Sequence, residues 1–275
     1  MLTDYHLHLR TDEVERTAEE HFTQANVERY REAATKQGIT ELGVSEHIHR
    51  FTVALELWQH PFWQDQARDD IDAYVAFVRE ETDLRLGLEI DFIAGREDRT
   101  QNLIDRCELD YVIGSVHFLR DGALDMLEFD VWRDMSDPDE VWRRYFTTLG
   151  EAARSGLYDI LAHPDLVKIW GNSRPAPGGD LRRYYELAMD GISESGIAVE
   201  VSTAGLRKPV GEMYPAPAFL RMCLEAGCPV ALSSDAHEPE QVGFAYEAAL
   251  EMLAELGVTE LATFNRRERQ LAPLG

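Results

Sequence analysis

Nitrogen and carboxylate groups recur along this chain in short clusters that follow apolar runs. Six of its nine histidines stand this way: His6 and His8 in Asp4-Tyr5-His6-Leu7-His8, His47 after Ser45-Glu46, His117 after Ser115-Val116, His163 before Pro164-Asp165, and His237 after Ser234-Asp235-Ala236. Four of them have an acidic residue one or two positions away. With Glu89, in Gly87-Leu88-Glu89-Ile90-Asp91-Phe92, the set contains enough imidazoles and carboxylates for more than one divalent ion. Imidazole suits zinc, iron or manganese, and a carboxylate can bridge two such ions. The chemistry on offer is metal-assisted.

Spacing sharpens this. His6 and His8 are two apart, so on a strand their side chains share a face. Asp235 and His237 repeat that spacing at the end of the last apolar run, and the two pairs meet if a barrel closes between the first and last strands. Glu89 sits in an apolar strand where an unpaired carboxylate is costly to bury, so it needs a cation, either a metal ion or an arginine. His47, His117 and His163 carry less weight singly, since a lone histidine at a strand end is more often a hydrogen-bonded structural residue. Their common placement is what gives them weight. His21, His49 and His60 lie in helix or loop context, and for at least two of them a structural role is expected. Arg207 and Lys208, in Ser202-Thr203-Ala204-Gly205-Leu206-Arg207-Lys208-Pro209, offer cations that suit phosphate oxygens, with a solvated basic loop as the alternative. No nucleophile elbow, phosphate-binding P-loop or dinucleotide fingerprint occurs.

Such ligands need strand ends to present them. Runs rich in Val, Ile and Leu predict strands near 2–8, 41–46, 84–90, 110–116, 158–163, 197–202 and 229–234. Between them, amphipathic patterns predict helices near 25–37, 66–81, 98–106, 138–154, 180–194, 215–226 and 240–256. Repeated strand–helix units of this kind give a parallel sheet, and seven strands imply a closed or nearly closed barrel whose catalytic groups gather where the strands end. Residues 47–65, 117–137 and 164–180 are too long for simple turns and follow predicted strand ends, so they are expected to roof that face. Residues 260–274 read as a terminal extension packed on the barrel. A single domain spanning 1–275 is the default.

A formal net charge of −24 repels phosphate backbones and argues against nucleic acid as a partner. No apolar stretch approaches the length of a membrane span, and no signal-like segment precedes the first strand, so a soluble, cytoplasmic protein is expected. Cys107, Cys223 and Cys228 form no CxxC pair and are expected as core thiols. Oligomeric state is not legible in the sequence.

In order and approximate spacing, Asp4-Tyr5-His6-Leu7-His8, Gly43-Val44-Ser45-Glu46-His47, Gly87-Leu88-Glu89, Gly114-Ser115-Val116-His117, Ala162-His163-Pro164-Asp165 and Ser233-Ser234-Asp235-Ala236-His237 resemble the motifs of the polymerase and histidinol phosphatase (PHP) superfamily. Ala204-Gly205-Leu206-Arg207-Lys208 followed by Glu212-Met213-Tyr214-Pro215 resembles its stand-alone histidinol-phosphatase branch. The resemblance implies a distorted (β/α)7 barrel with a metal cluster at the C-terminal ends of its strands, holding two or three ions of zinc, iron or manganese. It implies His6, His8, Glu89 and Asp235 around one ion, Glu89 bridging to a second held by His117 and His163, and His47 with His237 on a third. The family places another ligand soon after the opening His-x-His; Glu15 is the candidate in this chain, a weakly occupied or absent third ion the alternative.

The activity so implied is phosphomonoester hydrolysis, with L-histidinol phosphate the leading substrate. Arg207 and Lys208 would receive the phosphate, and Asp235 or His237 would protonate the leaving alkoxide. Another small phosphoester, such as a nucleotide or nucleoside bisphosphate, is the second reading, and a noncatalytic metal-dependent scaffold the third.

Overall fold

The structure, a computed structural model, describes residues 1–11 and 18–274. Seven strands form one parallel sheet: β1 Thr3–Asp4, β2 Glu41–His47, β3 Arg85–Asp91, β4 Tyr111–Ser115, β7 Ile160–Leu161, β8 Ala198–Ser202 and β9 Val230–Ser233. They pair in sequence order, with β5 Phe118–Leu119 and β6 Gly122–Ala123 forming a small hairpin after β4. The first and last strands close the ring beyond their ladders. Leu7 bridges Ala236 in parallel, with His8 N donating to Ala236 O at 2.8 Å and Ala236 N to His6 O at 3.2 Å. Asp4 fastens the same seam by accepting from both the backbone N–H and the hydroxyl of Ser234.

All seven predicted strands are present, but β1 and β7 are two-residue ladders where runs of seven and six residues were expected. Near the ligands the chain leaves the ladder to aim side chains. His163, Asp165 and Asp235 take positive φ values of 24°, 88° and 50°, a region uncommon for residues with a Cβ and found where surrounding structure holds the backbone against strain.

Inside the barrel Tyr5, Tyr111, Ile113, Ile160 and small alanines form a cluster. The Tyr111 ring fits only because its neighbours lack side chains: a Cβ on Gly87 or Gly43 would lie 2.4 Å from Tyr111 atoms. The segment 260–274, expected only as a packed extension, contains an antiparallel hairpin, β10 Glu260–Asn265 with β11 Glu268–Pro273. It delivers Ala262 and Phe264 to the same cluster, the Phe264 ring 5.8 Å from Tyr5. Burying one such ring is worth roughly 1.5–3 kcal/mol. Asp110 and Asp159, each just before its strand, tie the hairpin down through Arg266 N at 3.1 Å and Arg267 Nε at 2.9 Å. The N-terminal ends of the strands are thereby plugged, leaving the C-terminal ends for chemistry.

Helices surround the sheet. Pro138–Arg154 starts where Asp137 accepts from Asp139 N at 3.0 Å and proline occupies the first turn. It meets helix Arg182–Ser195 closely at Gly150 and Gly191, where a Cβ on Gly191 would lie 2.0 Å from Gly150 O. Its Tyr145 hydroxyl receives the N–H groups of Asp165 and Leu166 at 3.0 Å, fixing the chain just after His163. Two helices begin well after their predicted starts. The one expected from 66 runs Ile71–Glu81, because extended Asp70 caps it by accepting from Asp72 N at 2.9 Å. The one expected from 240 runs Tyr246–Glu255, because Gly243 and Ala245 adopt left-handed conformations that no α-helix continues through. The three cysteines are buried and free, as expected of core thiols. No helix among the described residues is long and apolar enough to cross a membrane.

Candidate metal centre

The bridge between Leu7 and Ala236 decides the geometry, because it sets His6 and His8 opposite Asp235 and His237 across the seam. His6 Nε2 lies 3.6 Å and His8 Nε2 3.5 Å from Asp235 Oδ1, and the His8 and His237 rings stack at 4.3 Å. Glu89, from β3, enters the middle of this group. Its Oε2 lies 3.3 Å from His6 Nε2, 3.6 Å from His8 Nε2 and 2.6 Å from His47 Nδ1. Its Oε1 turns the other way, 3.2 Å from His163 Nε2 and 3.5 Å from His117 Nε2. One carboxylate thus faces five imidazoles.

Three groups each bring one ligand atom per residue within 4.8 Å of the others: His6, His8 and Asp235; His6, Glu89 and His163; His8, His47 and His237. Among the described residues buried His6 Nε2 and His8 Nε2 have no hydrogen-bond partner, although they stand 3.3 to 3.6 Å from carboxylate oxygens. That spacing suits a shared cation: donors held tetrahedrally about 2.0–2.2 Å from one ion lie roughly 3.3–3.6 Å apart. The side chains therefore fit metal ions better than they fit each other.

The electrostatics agree. Burial opposes charge on Glu89, yet His47, His6 and His117 outweigh it and hold its carboxyl well below the usual range. Asp235 is likewise held well below, with His6, His8 and His237 overcoming burial. Burial also opposes a charged His6, but Glu200, Asp235 and Glu89 raise it well above an ordinary histidine. His8 goes the other way, pushed down by burial and by its neighbours His47 and His237. Protons and imidazoles share this site uneasily, and a divalent cation can replace those protons.

Carboxylates behind the ring orient it. Glu200, on β8, accepts from His6 Nδ1 at 2.7 Å, from the Ser233 hydroxyl and from His163 N. Asp91 stands 2.8 Å from His117 Nδ1. Such partners fix the tautomer and leave Nε2 to face the centre. Sequence reasoning did not assign either residue, yet Glu200 carries the signal that singled out Glu89, a carboxylate inside an apolar strand. Glu46 also works behind the site, accepting from Leu9 N at 2.6 Å and Arg10 N at 3.1 Å and pairing with Arg50.

His6, His8, His47, Glu89, His117, His163, Asp235 and His237 all converge, while Glu15 lies outside the described residues. His49 stacks on His47 at 4.7 Å but belongs to none of the three groups. His60 packs on Trp58 and caps helix Pro61–Gln66, and His21 is buried beside a separate surface hollow. Arg207 sends Nη2 to the carbonyls of Ser234 and Asp235 at 2.8 and 2.9 Å, bracing the turn that carries Asp235, while buried Nη1 has no hydrogen-bond partner among the described residues. Lys208, not Arg207, lines the cavity above the cluster.

That cavity, of about 460 Å³, is walled by the expected roof. Residues 47–65 supply His49, Arg50 and Phe62; 117–137 supply His117, Phe118, Asp125 and Met126; 164–180 supply Leu166, Ile169 and Trp170. His47, His163, Asp235 and His237 also line it, so the polar cluster opens into a largely apolar chamber.

The model of the PHP domain matches residues 6–204. A probable histidinol-phosphatase of Deinococcus radiodurans is 34% identical over 249 residues, covering 88% of this chain and 91% of that protein. The histidinol-phosphatase of Bacillus subtilis is 28% identical over 252 residues, covering 84% and 94%. The crystal structure of histidinol phosphate phosphatase from Lactococcus lactis, complexed with zinc, L-histidinol and phosphate, superposes with a TM-score of 0.71 at 18% identity, covering 98% of each chain. A putative histidinol phosphatase from Listeria monocytogenes gives 0.72 at 18% identity, covering 90% of this chain and 99% of its own. At that identity the structures support the barrel, and the matched domain model and the 34% identical relative establish the lineage. The chain belongs to the PHP domain family.

Proposed function

We propose that this protein is a metal-dependent phosphomonoesterase that hydrolyses L-histidinol phosphate to L-histidinol and phosphate. The observation that carries the reading is Glu89, one buried carboxylate with an oxygen turned toward each of two histidine groups. His6, His8, Asp235 and Glu89 would hold one ion, and Glu89, His117 and His163 a second. His47 and His237 would hold a third, with His8 the nitrogen nearest them and Glu15 the further candidate. Zinc, iron and manganese all suit such donors. Bound there, divalent cations supply Lewis-acid neutralisation of phosphate charge and bring the pKa of water toward neutrality.

The chain's own groups do the rest. Glu200 and Asp91 take the Nδ1 side of His6 and His117, so that Nε2 of each ring is the atom aimed inward for a cation. Lys208, on the cavity wall, offers an ammonium to the phosphate, and Arg207 holds the Asp235 turn while its spare Nη1 adds positive charge. Asp235 and His237 are the candidates to protonate the departing alkoxide. The apolar roof excludes water and accommodates the alcohol half. The relatives named as histidinol-phosphatases support this substrate. Residues 1–275 act as one catalytic unit, since the terminal hairpin plugs the barrel that carries the ligands. The net charge of −24 supports a small-molecule substrate over nucleic acid.

Phosphate release from L-histidinol phosphate, nucleotides and sugar phosphates, measured on protein whose metals have been quantified, tests the reading. Histidinol phosphate should give the highest kcat/KM, with activity abolished by chelation and restored by zinc or manganese. A nucleotide as the best substrate would overturn the substrate, and absence of turnover in metal-replete protein would overturn catalysis.

A further inference from the structure

One carboxylate in the roof has no role in the cluster. Asp125 lines the cavity beside Phe118, Met126 and Trp170, and its Oδ1 is sealed from solvent without a hydrogen-bond partner among the described residues. Among the described residues no cationic side chain pairs with this carboxylate, so a cation entering the cavity it lines would be its first partner. Its position is rigidly set. The hairpin of β5 and β6 leads into it, Leu124 N donates to His117 O at 2.8 Å, and Trp170 Nε1 donates to Leu124 O at 2.7 Å. Arg174 pairs with Asp130 and ties the same two roof segments again. The backbone that carries the carboxylate is therefore held in place before any ligand binds, which cuts part of the entropic cost of using it.

We propose that Asp125 is a specificity-determining residue that receives an ammonium group on the alcohol half of the substrate while the phosphate end lies at the histidine cluster. The inference rests on the phosphomonoesterase reading of the same cavity. It adds a preference for aminoalkyl phosphates over neutral ones. A charge-assisted hydrogen bond to the ammonium makes the preference about ten- to hundredfold.

The test compares L-histidinol phosphate with its des-amino analogue, identical except that hydrogen replaces the amine. The wild-type protein should prefer the amine-bearing ester by about tenfold or more in kcat/KM, expressed chiefly in KM. Asp125→Asn should collapse that ratio toward one, and Asp125→Glu should restore part of it, with metal content measured throughout. An unchanged ratio in Asp125→Asn, or equal loss on both esters, would overturn the proposal. So would a wild-type protein indifferent to the amine, a measurement that needs no variant to fold. Should histidinol phosphate prove a non-substrate while p-nitrophenyl phosphate is hydrolysed, the substrate proposed above fails; the Asp125 claim is then judged on phosphoethanolamine against ethyl phosphate by the same ratio.

Discussion

Replacing Glu200 with glutamine exposes how much of the metal site is built from behind. The native carboxylate only accepts, and all three of its contacts are donors: His6 Nδ1 at 2.7 Å, the Ser233 hydroxyl and His163 N. An amide can accept at one end only. If its NH2 faces His163 N, two donors collide at the backbone of a ligand; if it faces His6, the ring must move its proton from Nδ1 to Nε2, the atom 3.3 Å from Glu89 and 3.6 Å from Asp235. Either arrangement disturbs both sides of the centre. Loss of one charge-assisted hydrogen bond in a buried site costs about 1.5–3 kcal/mol, which corresponds to roughly ten- to hundredfold in affinity. The assay is zinc binding against a competing chelator at fixed pH, with metal per chain counted after equilibration. Glu200→Gln should bind zinc about ten- to hundredfold more weakly while its circular dichroism stays native. Wild-type zinc affinity in a folded variant would refute the orienting role of Glu200.

Glu89→Gln removes the carboxylate shared by both histidine groups, so metal per chain and turnover should fall together; unchanged stoichiometry would exclude Glu89 from the cluster. Arg207→Ala should lower kcat/KM about ten- to hundredfold at saturating metal, with Arg207→Lys recovering part, and wild-type efficiency would reduce Arg207 to ordinary loop charge. Asp110 offers a test of stability and pH. Burial opposes its charge, but Arg79 at 2.7 Å and the N–H groups of Leu86 and Arg266 outweigh burial and lower its pKa. A carboxyl depressed in the folded state contributes stability above its unfolded pKa near 3.8 and loses it as pH falls through the lower folded value. Asp110→Asn should therefore cost about 1–3 kcal/mol in urea unfolding at pH 7, with the difference from wild type narrowing below about pH 4. A penalty constant down to pH 2 would contradict the pairing of Asp110 with Arg79 as the source of that stability.

The element order was legible because barrel strands and their helices carry local signals: apolar runs, amphipathic spacing and polar caps. So was the cluster of candidate ligands, since imidazoles and carboxylates that recur at the ends of apolar runs are costly to keep there unless they share cations. Glu200 was equally visible in Ala198-Val199-Glu200-Val201 but lacked a histidine beside it to draw attention. Boundaries were harder. Asp70 before Ile71 is a visible cap, but the separate helix Pro61–Gln66 just ahead blurs where the next one starts, and the left-handed turn at Gly243 and Ala245 depends on contacts elsewhere.

What the sequence determined by itself is the inventory and the order: seven strands, their crossovers and a histidine-rich set of candidate ligands. Only the tertiary structure decided which ligands face which. The bridge between Leu7 and Ala236 joins segments more than two hundred residues apart, and without it the two paired motifs are separate coincidences. The same holds for Glu200 behind His6, for Phe264 in the barrel floor and for Asp125 in the roof. Local pattern records what a residue wants, to be buried, paired or capped; partners distant in the chain are settled by closure of the barrel, whose register puts Glu89 among five imidazoles.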